Sequence, residues 1–517
     1  GISPVTIDHV NPEAPWPQLD LLRQETEERG LSLAPRLPVY PAYVADLDRW
    51  VDPAVVTAIR RRADASGFGR EDSWHAGAAL DPPPPAGVGA RRGGNGRRAT
   101  AAVADALAKL DEGVEVDEDD VAMLFEARGT DLDDVLAAAD RLRQEVVGDT
   151  VSYVVTRNIN YTNVCYFRCG FCAFSKGKLA ENLRGPAYLL PVEEIVRRSR
   201  EAWERGGVEV CLQGGIHPGF SGESYLEIVR AIKAELPDIH IHAFSALEVW
   251  QGAATQGLSL PDYLGRLRKE GLASLPGTAA EILDDEVRRV LCPDKVSTEQ
   301  WLAVHDAAHA AGLRSTATIM FGSIESPRSW ARHLVRVRDQ QRRSGGFTEF
   351  VPLPFVHMEA PIYLKGRART GPTFRETLLM HAVARLTLHP DITNIQTSWV
   401  KLGVKGAQAC LMAGANDVGG TLMNESISRA AGASHGQEMP PESMDEAIRG
   451  IGRRPRQRTT LYGTPVPERT RASYDAPPLT EPDNPGFDDA HLGRPDVLVR
   501  PGLSVTSPLE PAALEKA

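Results

Sequence analysis

Three cysteines, Cys165, Cys169 and Cys172, fall within eight residues of the stretch "NVCYFRCGFCAF", in the spacing C-x3-C-x2-C. Thiols gathered so tightly serve a disulfide, a zinc ion or an iron-sulfur cluster. Six cysteines in 517 residues make no disulfide framework. A structural zinc site wants four ligands, and this neighbourhood adds neither a fourth cysteine nor a histidine. Three thiolates suit a 4Fe-4S cluster that leaves one iron open to another ligand. The plainer reading is three core cysteines. Arg168, Gly170 and the aromatic flanks of what reads as a loop speak against it.

Other residues with chemistry to offer stand where short apolar runs end. Gln213, Gly214 and Gly215 close "VEVCLQGG", and glycines there let backbone approach a ligand. Gly322 and Glu325 lie in "TIMFGSIE". Each is as readily an ordinary turn. His217, in "GGIHPG", is either an active-site residue or a loop-structuring one. His240 and His242 alternate along "IHIHAF" and share one face of a strand, where they either meet substrate or pack as hydrogen-bonded interior histidines. The catalytic candidates are His217 and His242. Cys211, Cys292 and Cys410 lack ligand spacing and read as core.

The elements that must position these residues alternate between β-rich runs and amphipathic stretches from about Val151. Seven such units over about 260 residues predict a parallel sheet with crossover helices, closed or nearly closed into a TIM-like (β/α) barrel. Chemistry then belongs at the C-terminal ends of the strands. Ahead of them Val103, Leu107 and Leu110, then Val121, Leu124 and Phe125, then Leu132, Val135 and Leu136 recur at helical spacing. The expected divisions are a module remnant at 1–75, a Pro/Gly/Arg-rich linker at 76–100 and a helical lead-in at 101–150. The barrel follows at 151–400, its extension at 401–473, and a Pro- and acid-rich disordered tail at 474–517.

The formal charge of −11 gives no general basis for binding nucleic acid or anionic lipid. No apolar run approaches the roughly 18 residues of a membrane span, and no leader pattern opens the chain. A cytoplasmic setting is expected, where thiols stay reduced. A chain that opens on Gly1 in what reads as mid-domain is expected to be a fragment of a longer polypeptide.

C-x3-C-x2-C after the first strand of such a barrel, with Phe171 before the last cysteine, resembles the signature of the radical S-adenosylmethionine (SAM) superfamily. The resemblance implies that SAM binds the open iron of a 4Fe-4S cluster through its methionine amino and carboxylate groups. It also implies that electron transfer releases a 5'-deoxyadenosyl radical. Gln213 to Gly215 then match the segment for the methionine amino group. Gly322 and Glu325 match the adenine segment, and Glu281 would hold the ribose or the methionine ammonium unless it is a solvated first-turn acid.

The longer text is more discriminating. "RNINYTNVCYFRCGFCAFSKGK", "LQGGIHPGF", "HAFSALEV", "SLPGTAAEIL", "STATIMFG", "GANDVGGTLMNESISRAAGASHG" and "RQRTTLYG" together resemble the tyrosine-using half of the FO synthase family, which builds a deazaflavin chromophore. "GISPVTIDHVNPEAPWPQLDLL" resembles the end of the ring-closing half, and "GGTLMNES" echoes it.

What this implies is cleavage of the Cα–Cβ bond of L-tyrosine and transfer of a 4-hydroxybenzyl group to 5-amino-6-(D-ribitylamino)uracil. Asn416 and Asp417 would hydrogen-bond ribityl or uracil groups. A ring-closing barrel on the same full-length chain and a low-potential electron donor are the implied partners. The alternative is a radical enzyme of the futalosine route to menaquinone. One departure stands out: related sequences carry His where this chain has Ser323.

Overall fold

The run "VSYVVTRNI" is one extended stretch that serves two sheets. β1 (Thr150–Val154) lies between β8 (Asp417–Gly420) and β9 (Arg454–Arg458). After Val155 the chain continues as β2 (Thr156–Ile159), which opens a second sheet. That sheet runs β2, β3 (Glu209–Leu212), β4 (His240–His242), β5 (Ser274–Leu275), β6 (Arg314–Phe321) and β7 (Phe347–Pro354) in sequence order. Every pairing is parallel, with Thr156 beside Glu209, Glu209 beside His240 and His242 beside Ser274. This computed structural model describes residues 19–29, 31–83, 100–175, 186–481, 484–485 and 500–503.

The six strands curl because each crossover helix buries one stripe against them. Gly222–Glu235 turns Tyr225, Leu226, Ile228, Val229 and Ile232 inward at helical spacing and leaves Glu223 and Arg230 outside. Single-residue parallel bridges, Phe350 to Ile395 and Gln396 to Asp417, carry the pairing from β7 to β8. Asn158 N then donates to Leu422 O at 3.0 Å, which brings the arc back to the first strand.

Two features differ from the sequence expectation. The seventh unit, "NIQTSWVKLG", makes two bridge residues and then the helix Trp399–Leu411 instead of a full strand. The glycine-rich segment after that helix supplies a further strand, β8, so residues 417–458 contribute β8 and β9 to the sheet that holds β1. Glycine is a poor strand former, and only backbone pairing reveals this strand.

The lead-in helices Ala101–Asp111, Glu118–Phe125 and Thr130–Val147 form as expected. The latter two pack on the helix Phe374–Leu388, which is buried at every position. The segment expected to belong to an upstream module packs on this barrel. Asp64 pairs with Arg128 and, at 3.2 Å, with Arg375. Arg60 and Arg70 each donate at 2.8 Å to Gly366 O and Gly371 O, and Gly77 N donates to Lys401 O at 2.7 Å.

Most of the predicted linker, 84–99, lies outside the described residues, as does most of the predicted tail. Within that tail, Arg500 donates at 3.2 Å to Tyr166 O beside the cysteine loop and pairs with Asp294. No helix among the described residues is long and apolar enough to cross a membrane.

Candidate active site

The cysteine loop follows β2 at the C-terminal end of the sheet and is pinned by backbone from three sides. Tyr166 N donates to Ile216 O at 3.2 Å, Gly170 N to Leu291 O at 2.7 Å, and Ile362 N to Gly170 O at 2.8 Å. Cys165, Cys169 and Cys172 are partly exposed on a base of buried Val164, Phe167 and Ala173. Burial pushes the Cys165 thiol up to about 11 and raises Cys169 as well; nearby Lys295 works against both shifts. Thiols in this setting become thiolates only when positive charge joins them, which is what a metal centre brings. Among the described residues no three His, Cys, Asp or Glu side chains converge as ligands of a single ion. A cluster spreads its thiolates over separate irons instead.

Gly214 and Gly215 are required by the chain's own packing. A Cβ at Gly214 would stand 2.3 Å from the Tyr161 ring, and one at Gly215 would stand 2.2 Å from Val164 O and 2.9 Å from Cys165 Cβ. The segment after β3 therefore lies directly under the first cysteine. Gly214 N also donates to buried Glu248 at 3.3 Å, and Glu248 takes the Tyr161 hydroxyl and caps its own helix through Ser245. Glu281, in left-handed backbone at φ 43°, pairs with Lys295, the cation that acts on Cys169, so its charge is already met.

Glu325, in the segment matched to adenine contact, follows β6 directly. Its carboxylate folds back and accepts from the backbone N–H groups of Gly322, Ser323 and Ile324, from Ser323 Oγ at 2.7 Å and from Trp330 Nε1 at 3.2 Å. Ser323 is wholly buried in that knot, so the position usually occupied by His here structures a loop. His217 is also buried, and its Nδ1 accepts from Gly219 N at 3.1 Å, which is the loop-structuring alternative.

Inside the barrel the inward residues of successive strands are polar at every second position: Thr156, Asn158 and Asn160; Glu209, Cys211 and Gln213; Thr316 and Thr318. They line a cavity of about 250 Å³ that His242 also borders. Both His240 and His242 share Ser274 Oγ, at 2.6 and 2.7 Å, and burial lowers both, His240 to about 4, so they are neutral imidazoles. Cys211 thus belongs to the cavity wall, whereas Cys292 and Cys410 are core as expected.

The cavity floor is an ionic knot. Arg458 grips Asp417 through two contacts, at 2.6 and 3.0 Å, and reaches Glu349 at 3.2 Å; Tyr462 donates to Glu349 at 2.5 Å. Asn416 is likewise occupied, accepting from Arg385 at 2.6 Å and from Ile395 N at 2.9 Å. Both side chains, expected to meet substrate, are engaged by partners within the fold.

Higher on the wall stand Lys401, Glu425 and Ser428, and burial lowers the Lys401 pKa. Asn160 also borders a second, polar cavity of about 450 Å³, with Tyr188, Asn424, Ser426 and Arg429. Sequence reasoning missed Glu349, Arg458, Lys401 and Glu425. The polar alternation inside otherwise apolar strands was the available signal that the barrel interior binds something.

The Radical SAM superfamily model matches residues 159–336, and the CofH/MqnC C-terminal region model matches 344–469. The chain is 44% identical over 515 residues to an FO synthase of Streptomyces coelicolor, covering 92% of this chain and 59% of that one. With an FO synthase of Mycobacterium tuberculosis it shares 44% over 505 residues, covering 89% and 58%. It therefore spans less than two thirds of the length of these relatives. It is 46% identical over 347 residues to the 5-amino-6-(D-ribitylamino)uracil--L-tyrosine 4-hydroxyphenyl transferase of Methanothermobacter thermautotrophicus, covering 67% of this chain and 94% of that protein.

Among solved structures, methylornithine synthase (TM-score 0.53, 20% identity, covering 68% of this chain and 97% of that one) shares the fold. So does the hydrogenase maturase HydG of Carboxydothermus hydrogenoformans (0.53, 17%, covering 72% and 83%). With the cysteine loop, the parallel arc and near-complete coverage of the transferase in agreement, the chain belongs to the radical SAM superfamily and, within it, to the FO synthase and 4-hydroxyphenyl transferase family.

Proposed function

We propose that the chain carries out the tyrosine-using half of FO formation, cleaving the Cα–Cβ bond of L-tyrosine and transferring a 4-hydroxybenzyl group to 5-amino-6-(D-ribitylamino)uracil. The observation that carries this is the 46% identity over 94% of a transferase named for those substrates. The cofactors of the superfamily are a 4Fe-4S cluster and SAM. The residues fit them: three thiols stand on a pinned loop, beside Lys295, with the Gln213–Gly215 backbone packed beneath. Cys165, Cys169 and Cys172 would hold the cluster.

When bound, these groups supply a 5'-deoxyadenosyl radical to the mouth of the barrel. The chain's own residues receive the substrates and shape the space. Thr156, Asn158, Gln213 and neutral His242 offer hydrogen bonds along the cavity wall. The second cavity, bordered by Asn160 and rich in amide and hydroxyl groups, suits a polyol chain. The buried floor keeps bulk water away from a reactive centre.

We place the ring-closing step on a module of a longer chain, a reading supported by the 59% coverage of the FO synthase relatives. An external low-potential donor and a cytoplasmic setting complete the proposal. The relatives named above are FO synthases and the transferase, so the futalosine-route alternative gains no support from them.

The test is anaerobic incubation of reconstituted protein with dithionite, SAM, L-tyrosine and the ribitylaminouracil. Tyrosine consumption coupled to 5'-deoxyadenosine is the expected result. 5'-Deoxyadenosine with tyrosine untouched would overturn the assignment.

A further inference from the structure

The two cations bordering the barrel cavity differ in commitment. Arg458 is consumed by Asp417 and Glu349. Lys401 donates to Ser428 Oγ, and among the described residues no carboxylate is hydrogen-bonded or ion-paired to it. Glu425 stands on the same wall, 5% exposed, with its two oxygens held by Ser428 N at 2.8 and 3.1 Å. The Lys401 and Glu425 charges feel each other across Ser428 without meeting.

Opposite charges on a poorly solvated wall attract strongly, and side chains this close normally close into a direct pair. Here one residue holds them apart, the hydroxyl of Ser428 on the cation and its amide on the anion. The gap presents a positive donor and a negative acceptor side by side, facing a cavity. An α-amino acid carries the complementary pair, a carboxylate and an ammonium on one carbon.

We propose that Lys401, Ser428 and Glu425 form a zwitterion clamp, in which Lys401 takes the α-carboxylate and Glu425 the α-ammonium of the amino-acid substrate. This rests on the reading of the chain as an amino-acid-cleaving enzyme, and it identifies residues that grip the headgroup. Lys401 reaches the wall from the start of the helix Trp399–Leu411, Glu425 and Ser428 from the segment after β8. The clamp therefore assembles only when the arc of strands comes back to its beginning.

The test is equilibrium binding to the anaerobically reconstituted holoenzyme of three ligands: L-tyrosine, tyramine, which lacks the carboxylate, and 3-(4-hydroxyphenyl)propionate, which lacks the ammonium. Charge-assisted hydrogen bonds of this kind set the expected scale. Lys401→Met should weaken L-tyrosine about 10- to 100-fold and leave tyramine unchanged, with Lys401→Arg restoring most of the loss. Glu425→Gln should weaken L-tyrosine and leave the propionate unchanged. Retention of the SAM-induced spectral change of the cluster shows that each variant is folded.

Equal weakening of all three ligands, or of none, overturns the clamp. Wild-type protein that binds another L-amino acid with this same dependence, and not tyrosine, upholds the clamp and retires the substrate assignment. Failure to bind any amino acid overturns both.

Discussion

Arg458 holds both carboxylate oxygens of Asp417 and has a single contact left for Glu349, at 3.2 Å. One guanidinium thus serves two buried acids unequally. Burial, with Asp417 adding like charge, pushes Glu349 up to about 7. In the folded chain this carboxyl keeps its proton over a range where the unfolded chain has lost it. Its contribution to stability is therefore complete below the ordinary value of 4.5 and is lost as pH rises through about 7. Glu349→Gln should flatten that dependence. Denaturant unfolding of both proteins across this pH range checks it; parallel curves would refute it.

Asp64 ties the amino-terminal segment to the barrel through two guanidiniums, Arg128 and Arg375, each nearly buried. Asp64→Ala leaves Arg375 without its ion-pair partner and Arg128 with Glu71 alone, and should cost about 3–5 kcal/mol in full-chain unfolding. Asp48→Ala, on the same segment with its side chain 91% exposed, removes a 4.0 Å pair with Arg60 and should cost under about 1 kcal/mol.

Replacing any of Cys165, Cys169 or Cys172 by Ala should abolish stoichiometric iron and sulfide after anaerobic reconstitution. Cys410→Ala, buried in the core away from the loop, should retain both. Iron and sulfide analysis decides, and a full complement in Cys169→Ala would remove that residue from the ligand set.

Gly215→Ala is a sharper probe than its size suggests. The added methyl group collides at 2.2 Å with Val164 O and at 2.9 Å with Cys165 Cβ, so the loop itself must shift. Lowered cluster content in a protein with unchanged far-ultraviolet circular dichroism is the expected result.

Ser323→Ala removes one of several hydrogen bonds to Glu325 and should cost about 1 kcal/mol. Ser323→His must fit an imidazole where a fully buried hydroxyl sits, and should cost more, about 1–3 kcal/mol. Thermal unfolding ranks the two, and a histidine variant as stable as the native chain would show that the loop can open.

The metal loop was legible because its information is local: three ligands within eight residues after one strand. The barrel was legible because parallel pairing imposes a repeat of strand and helix. Glu349, Arg458, Lys401 and Glu425 were not, since they lie 190 or more residues beyond the first strand, and only its pairing with β8 and β9, with the bridges from β7 to β8, brings them together. Glu325 reads two ways for a local reason. A carboxylate three residues after a strand-ending glycine satisfies loose backbone N–H groups as readily as it binds a ligand. β8 escaped notice because its glycines carry no side-chain pattern.

Gly77 gives its amide to the carbonyl of Lys401, and Ser434 gives its own to Gly77 O. The polypeptide ahead of the lead-in helices is thereby woven into the wall that carries Lys401. A gene trimmed to start at residue 100 would strip that support while leaving every cysteine in place. Ser32 Oγ also donates to Arg128 O at 3.1 Å, so the workable left edge for producing this barrel by itself lies upstream of Ser32. A shortened protein that takes up iron yet turns over poorly would be the mark of a cut made too late.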